Sequence, residues 1–227
     1  LYNQHKKNGS TRQEFLKDAA QIKGIYVPSL YNVQYNDDNT IKSVTPIGNA
    51  PAVIKKRIIK DFDKVYYPES FVVPFSDIVH NRASVEVLRG CIRGCRFCQA
   101  GFLYRPFREK STESIYNQAK ALCENTGYDE LSLASLSTSD HSDIQNMLSK
   151  LIDYTEGEHI NLSLPSLRID NFSEELLEKV KRVRKSGLTF APEAGTQRLR
   201  DVINKNVSEE EIMNTCRIAF EGGYSNV

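Results

Sequence analysis

From residue 84 onward the chain alternates short apolar runs with stretches in which apolar residues recur every three or four positions. Runs such as SVEVL and DELSLASL read as strands, and the longer recurrence reads as amphipathic helices. Alternation of this kind is the pattern of βα units on a parallel sheet. Four such units are predicted. SVEVL leads through a cysteine-bearing loop to a helix from about Ser111 to Asn125, with Ile115, Ala119 and Leu122 sharing a face. DELSLASL precedes a helix carrying Ile144, Met147, Leu148, Leu151 and Ile152. INLSLPSLRI, interrupted by Pro165, precedes a helix with Leu176, Leu177, Val180 and Val183 on one side. LTFAPEAGT precedes a helix opened by the capping-box pair Ser208 and Glu211, with Ile212, Cys216, Ala219 and Phe220 inward.

The first 80 residues follow another pattern. A helix-like stretch, TRQEFLKDAAQIKG, is followed by strand-like YNVQY and IKSVTPI around the turn signal NDDN, then by a Pro-punctuated segment. The expected organisation is a linker with small β structure over residues 1–80, α+β in class, and an α/β core over 81–227. That core is a partial (β/α) barrel, TIM-like, with about four βα units and a fifth strand beginning at the end; an open doubly wound sheet is the alternative. Either places its chemistry at the C-terminal ends of the strands.

Thirty basic and twenty-nine acidic residues give a net charge of +1, so no whole-chain field draws the protein to nucleic acid or an anionic membrane. No apolar run approaches the roughly 18 residues of a membrane span, and the polar start LYNQHKKNGS has no signal-peptide core. A start without methionine and an end at the onset of a strand read as an excerpt of a longer chain. The cysteines make a poor disulfide framework, three clustered and two apart, which points to a cytoplasmic protein that uses them for metal binding or catalysis.

The cluster is RGCIRGCRFCQAG, residues 89–101, with Cys91, Cys95 and Cys98 spaced CxxxCxxC directly after the first strand of the core. Four thiolates close the coordination of a 4Fe-4S cubane, whereas three leave one iron open. Gly90 and Gly94 allow positive φ and bring N–H groups toward the sulfurs, while Arg89, Arg93 and Arg96 can offset the cluster's negative charge. A structural zinc site would want a fourth ligand, and His80 is the only nearby histidine. A ferredoxin-type carrier would want a fourth cysteine, but Cys123 and Cys216 fall on apolar helix faces and read as core.

CxxxCxxC with Phe97 before the last cysteine, on the loop after the first strand of a βα barrel, resembles the radical S-adenosylmethionine (SAM) superfamily. GLTFAPEAGTQRLRDVINK is similar to the family's fourth-strand segment, with Glu193 and Thr196 on its acidic and second small hydroxyl positions. SLPSLRID is similar to the third-strand segment, with Arg168 on its arginine. Together with VPSLYNVQY, VHNRASVEVLRGC and CQAGFLYRP, these segments most resemble a bacterial group of radical SAM proteins with a cobalamin-binding domain ahead of the part seen here.

The resemblance implies a 4Fe-4S cluster on Cys91, Cys95 and Cys98 whose open iron chelates the amino and carboxylate groups of SAM. Reductive cleavage then gives methionine and a 5′-deoxyadenosyl radical that abstracts hydrogen from a substrate. Phe97 would pack near the adenine. SLSTSD replaces the family's glycine-rich stretch, so Ser135, Ser137 or Thr138 would contact the methionine amino group. Ser163, Ser166, Arg168, Glu193 and Thr196 complete the candidate SAM contacts. Implied partners are SAM and an electron donor such as flavodoxin or ferredoxin, with RNA among the candidate substrates and cobalamin bound outside this chain.

The competing function is a non-catalytic iron-sulfur or nucleic-acid-binding scaffold of the same fold. Glu193 also suits a buried acid satisfied by backbone, and Arg168 a structural ion pair. SDHSD holds Ser, Asp and His, but consecutive positions before a helix suit capping better than a hydrolytic triad. KVKRVRK, residues 179–185, reads as the solvated face of a helix.

Overall fold

The computed structural model describes residues 1–227 except 77, 165–167, 172–174, 176 and 180–187. Pro165, Ser166, Leu176, Val180, Val183 and most of KVKRVRK therefore lie outside the described residues. The chain divides into two units, Leu1–Ile59 and Lys60–Val227.

The first unit holds two short helices and a hairpin. Helix α1, Tyr2–Asn8, was not foreseen in the polar start; it buries none of its residues and ends on Gly9 in the left-handed region. Helix α2, Arg12–Ala19, opens on a capping box in which Thr11 Oγ1 accepts from Glu14 N–H and the Glu14 carboxylate accepts from Thr11 N–H. Strands β1, Tyr31–Tyr35, and β2, Ile41–Pro46, pair antiparallel across the NDDN turn, where Asn39 takes a φ of 63°.

In the second unit, strands β3 (Ala83–Glu86), β6 (Glu130–Ala134) and β7 (Asn161–Ser163) form a parallel sheet in the order β3-β6-β7. β3 leaves its partner after Val87, and the chain continues as β4, Leu88–Arg89, which pairs antiparallel with β5, Arg108–Glu109. Helices α4 (Thr112–Thr126) and α5 (Ile144–Gly157) cover one sheet face. The expected inward residues Ile115, Ala119, Leu122, Met147, Leu148, Leu151 and Ile152 are fully buried, in one cluster with Ala83, Val85, Val87, Leu131, Leu133 and Leu162. The segment after Ile59 packs on this unit: Phe62 is buried, and Tyr67 Oη donates to the Ser84 carbonyl.

Two expectations need correction. LTFAPEAGT forms no strand, for Pro192 has no N–H to give a ladder and Glu193 turns the backbone to a φ of 68°. Three parallel strands and no closed barrel are thus present among the described residues. The last helix, α7 (Glu209–Glu221), does open on the Ser208–Glu211 capping box, but it buries Thr215, Ile218 and Ala219; Phe220 is 52% exposed and Cys216 is only half-buried. Between them α6, Gln197–Val202, is capped by Thr196, whose hydroxyl accepts from Leu199 N–H at 3.4 Å. No helix of the described residues is long and apolar enough to cross a membrane.

Candidate functional site

Alternation along β3, β6 and β7 sends Val85, Leu131, Leu133 and Leu162 under the helices, and the ladder register then places Ser84, Glu86, Ser132, Ala134, Asn161 and Ser163 together on the opposite face. That second face is small and polar. At its C-terminal end lies a cavity of about 400 Å³ lined by Glu86, Leu88, Arg89, Gly90, Tyr104, Ala134, Ser135 and Leu136. The cysteine loop begins at Gly90, on the cavity wall.

Cys91, Cys95 and Cys98 are free and partly buried. Two sulfurs receive backbone N–H groups: Arg93 N–H points to Cys91 Sγ and Gly101 N–H to Cys98 Sγ, each at 3.4 Å. Gly101 lies in helix α3, Gln99–Leu103, which starts at Cys98. Among the described residues no three His, Cys, Asp or Glu side chains converge closely enough to hold a single metal ion. The donor set of three unpaired thiols with N–H groups aimed at sulfur fits a sulfur-ligated cluster.

Gly90 has a φ of 89°, and a Cβ there would meet the carbonyls of Tyr104 and Pro106 at 2.8 Å. The positive φ expected at Gly94 is absent; a Cβ there would stand 2.9 Å from Asn204 Nδ2, which donates to the Gly94 carbonyl at 2.8 Å, so a larger residue would press on the end of that side chain. Arg96 N–H also donates to the Ile203 carbonyl at 2.9 Å, and its guanidinium to that of Val202. The cysteine loop is therefore fastened to the end of α6.

Two of the three arginines expected to balance a cluster have protein acids as partners. Arg89 pairs with Glu86 at 2.7 Å and lies over the Phe62 ring. Arg93 Nε and Nη2 clasp Asp140, with Nε–Oδ2 at 3.0 Å, and Arg93 Nη1 reaches Asp170 at 2.7 Å. Asp170 in turn accepts from Arg168 Nε at 2.9 Å, and Arg168 Nη2 donates to the Lys205 carbonyl at 3.4 Å. Burial pushes the Asp140 carboxyl up. Hydrogen bonds from Arg93, with the charges of Arg93 and Arg168, outweigh burial and leave it below the usual carboxylate range. Asp140 and Asp170 were missed from sequence, because an aspartate in a loop gives no sign of which arginine it will meet.

The remaining candidates are spread out. Ser135 lines the cavity, its hydroxyl 2.8 Å from Thr138 Oγ1, whereas Ser137 and Thr138 are buried in a 3-10 turn, Thr138–Asp140. Ser163 sits half-buried at the end of β7. Arg168 makes the structural ion pair just described. Glu193 is ion-paired with Lys205 at 3.1 Å, and Phe97 is 54% exposed. Buried Arg200, also missed, gathers the carbonyls of Ala194 and Val207 and so shapes the loop carrying Glu193.

In SDHSD no triad forms and no side chain caps α5. His141 is buried with Nε2 on the Lys110 carbonyl and Nδ1 accepting from Asp143 N–H; Asp143 is occupied by Thr112 and Asn146.

Residues 85–227 match the model of the radical SAM superfamily. The chain belongs to that superfamily. An uncharacterized protein of Methanocaldococcus jannaschii is 29% identical over 199 residues, 84% of this chain and 43% of that protein. The threonylcarbamoyladenosine tRNA methylthiotransferase MtaB of Bacillus subtilis is 25% identical over 143 residues, 60% of this chain and 29% of the relative. This radical SAM chain thus spans less than half the length of these relatives. A structure of the radical SAM methyltransferase TsrM from Kitasatospora setae, with tryptophan substrate and the SAM analogue aza-SAM bound, superposes with a TM-score of 0.50 at 13% identity, over 63% of this chain and 28% of that one. That likeness concerns the fold. Membership makes the chain part of an enzyme superfamily that uses a 4Fe-4S cluster and SAM.

Proposed function

We propose that residues 81–227 form the core of an oxygen-sensitive cytoplasmic enzyme that reductively cleaves SAM, with Cys91, Cys95 and Cys98 holding the cluster. The observation that supports this reading is the placement of three cysteines free of disulfides on the loop that begins at Gly90, itself a lining residue of the cavity at the strand ends. When bound, the cluster supplies an open iron for SAM and the electron that splits its sulfonium. The chain's own residues do the rest. Arg93 N–H and Gly101 N–H stabilise charge on the Cys91 and Cys98 sulfurs. Ser135 offers a hydroxyl on the cavity wall for the polar end of SAM, and Phe97 presents an exposed ring for its base. Glu193 would be released from Lys205 to serve a ligand, and Ser163, Ser166 and Thr196 are further candidate contacts.

The finer reading is cobalamin-linked methyl transfer or a related radical modification, with flavodoxin or ferredoxin as electron donor. It draws support from the segments similar to the cobalamin-domain group and from the TsrM relative's name; the tRNA methylthiotransferase relative suggests RNA as substrate class. The test is 5′-deoxyadenosine release by anaerobically reconstituted protein with a strong reductant. Release by the wild type and none by Cys95→Ala is expected. In the full-length protein, a fully loaded cluster with no release would establish the scaffold reading instead.

A further inference from the structure

The geometry points to Asp140 and Asp170 as positioning residues that act through Arg93, fastening the middle of the cysteine loop to the ends of β6 and β7 and so setting the hydrogen bond from Arg93 N–H to the Cys91 sulfur. This rests on the reading of the cysteines as cluster ligands.

Both carboxylates are withdrawn from water, the Asp140 side chain to 1% exposure and that of Asp170 to 9%. Buried acids persist only where fixed donors meet them. Here Arg93 commits all three guanidinium nitrogens, two to Asp140 and one to Asp170, and Arg168 supplies the rest. The two acids lie beyond different strands, Asp140 after β6 and Asp170 after β7. Neither caps α5, whose N-cap position is Asp143.

Arg93 lies two residues from both Cys91 and Cys95, and the backbone around it is held as firmly as its side chain. Its carbonyl accepts from Arg105 Nη2 at 3.1 Å, the next carbonyl accepts from Asn204, and its N–H faces Cys91 Sγ. Two arginines and two aspartates carry no net charge as a group, so the arrangement orients the loop without adding charge beside the cluster. A lysine at 93 would keep the charge but could not span both acids, because an ammonium lacks the planar fork. Hydrogen bonds to cluster sulfurs stabilise the reduced, more negative state and raise its potential. Loosening Arg93 should therefore lower that potential while leaving the three thiols in place.

The experiment compares wild type, Arg93→Lys, Asp140→Asn and the double variant after anaerobic reconstitution, with Asp143→Asn as a control acid outside the network. Iron and sulfide content, the rate of iron loss to a ferrous chelator, and the midpoint potential by paramagnetic resonance are measured. Arg93→Lys should load fully, lose iron about tenfold faster, as changes to groups that orient metal ligands do, and show a more negative potential. The double variant should be no faster than the worse single one, since the pair acts as one unit. Asp143→Asn should match wild type. Wild-type rate and potential in Arg93→Lys would overturn the proposal, and so would faster loss with an unchanged potential, which marks mere loop packing. A wild type that takes up no cubane would instead sink the reading of the cysteines themselves.

Discussion

The two faces of the three-stranded sheet are built from the same strands and obey different rules. The face under α4 and α5 is apolar and closed: Val85, Leu131, Leu133 and Leu162 meet Ile115, Leu122, Met147, Leu148, Leu151 and Ile152 in one buried cluster. The other face carries Ser84, Glu86, Ser132, Ala134, Asn161 and Ser163 and ends at a cavity and a cysteine loop held by ion pairs. Stability resides on the first face and the proposed chemistry on the second, because apolar burial is non-directional and tolerant, whereas thiols, hydroxyls and guanidinium groups work only in fixed positions.

Substitutions can break this division. Leu151→Ala removes a fully buried side chain from the closed face and should cost about 3 kcal/mol in denaturant unfolding, through lost transfer energy and a cavity. Asp140→Asn should come next, at about 2 kcal/mol near neutrality, by depriving Arg93 of an ionic partner. It also has a pH signature. The folded Asp140 pKa is depressed, so its contribution is complete above the unfolded value of about 3.9 and is lost as pH falls through the folded one. The variant's stability profile should be flatter in that acid window.

Cys123 gives the opposite sign on the closed face. Burial pushes its thiol up to about 11, so the fold favours the neutral form; stability holds below the unfolded value and declines as pH rises from about 8.5. Cys123→Ala should remove a decline on the order of 1–2 kcal/mol. Ser163→Ala, on the polar face, should change stability by less than about 0.5 kcal/mol. An Ala at 163 as damaging as one at 151 would erase the distinction between the faces.

The closed face was legible in the sequence because period and burial coincide: every residue assigned to the inner faces of α4 and α5 is buried or half-buried. The last helix was less so. Its inner face is shifted toward the N-terminus: Thr215 and Ile218 are buried in place of Cys216 and Phe220, one and two positions earlier, the Thr215 hydroxyl satisfied by the Ile169 carbonyl. A polar residue with a local partner can occupy a core position that periodicity would award to a neighbour. The fourth strand was misread for a related reason, since apolar content predicts burial but only paired N–H and C=O groups make a strand. On the chemical side the spacing marked Cys91, Cys95 and Cys98 as candidates, and the structure puts them on one loop. Its supports, Asp140, Asp170 and Asn204, were not legible, because they come from positions 47 or more residues away in sequence and only the fold brings them to Arg93 and Gly94.

The claim on which these readings converge is that three thiols hold a cubane with one iron free for SAM. Low-temperature paramagnetic resonance of the reduced, reconstituted protein before and after SAM addition tests it most directly. The account predicts a reduced 4Fe-4S signal whose g values move when SAM is added, and no such signal in Cys95→Ala; a signal indifferent to SAM, or bound zinc without sulfide, would contradict it.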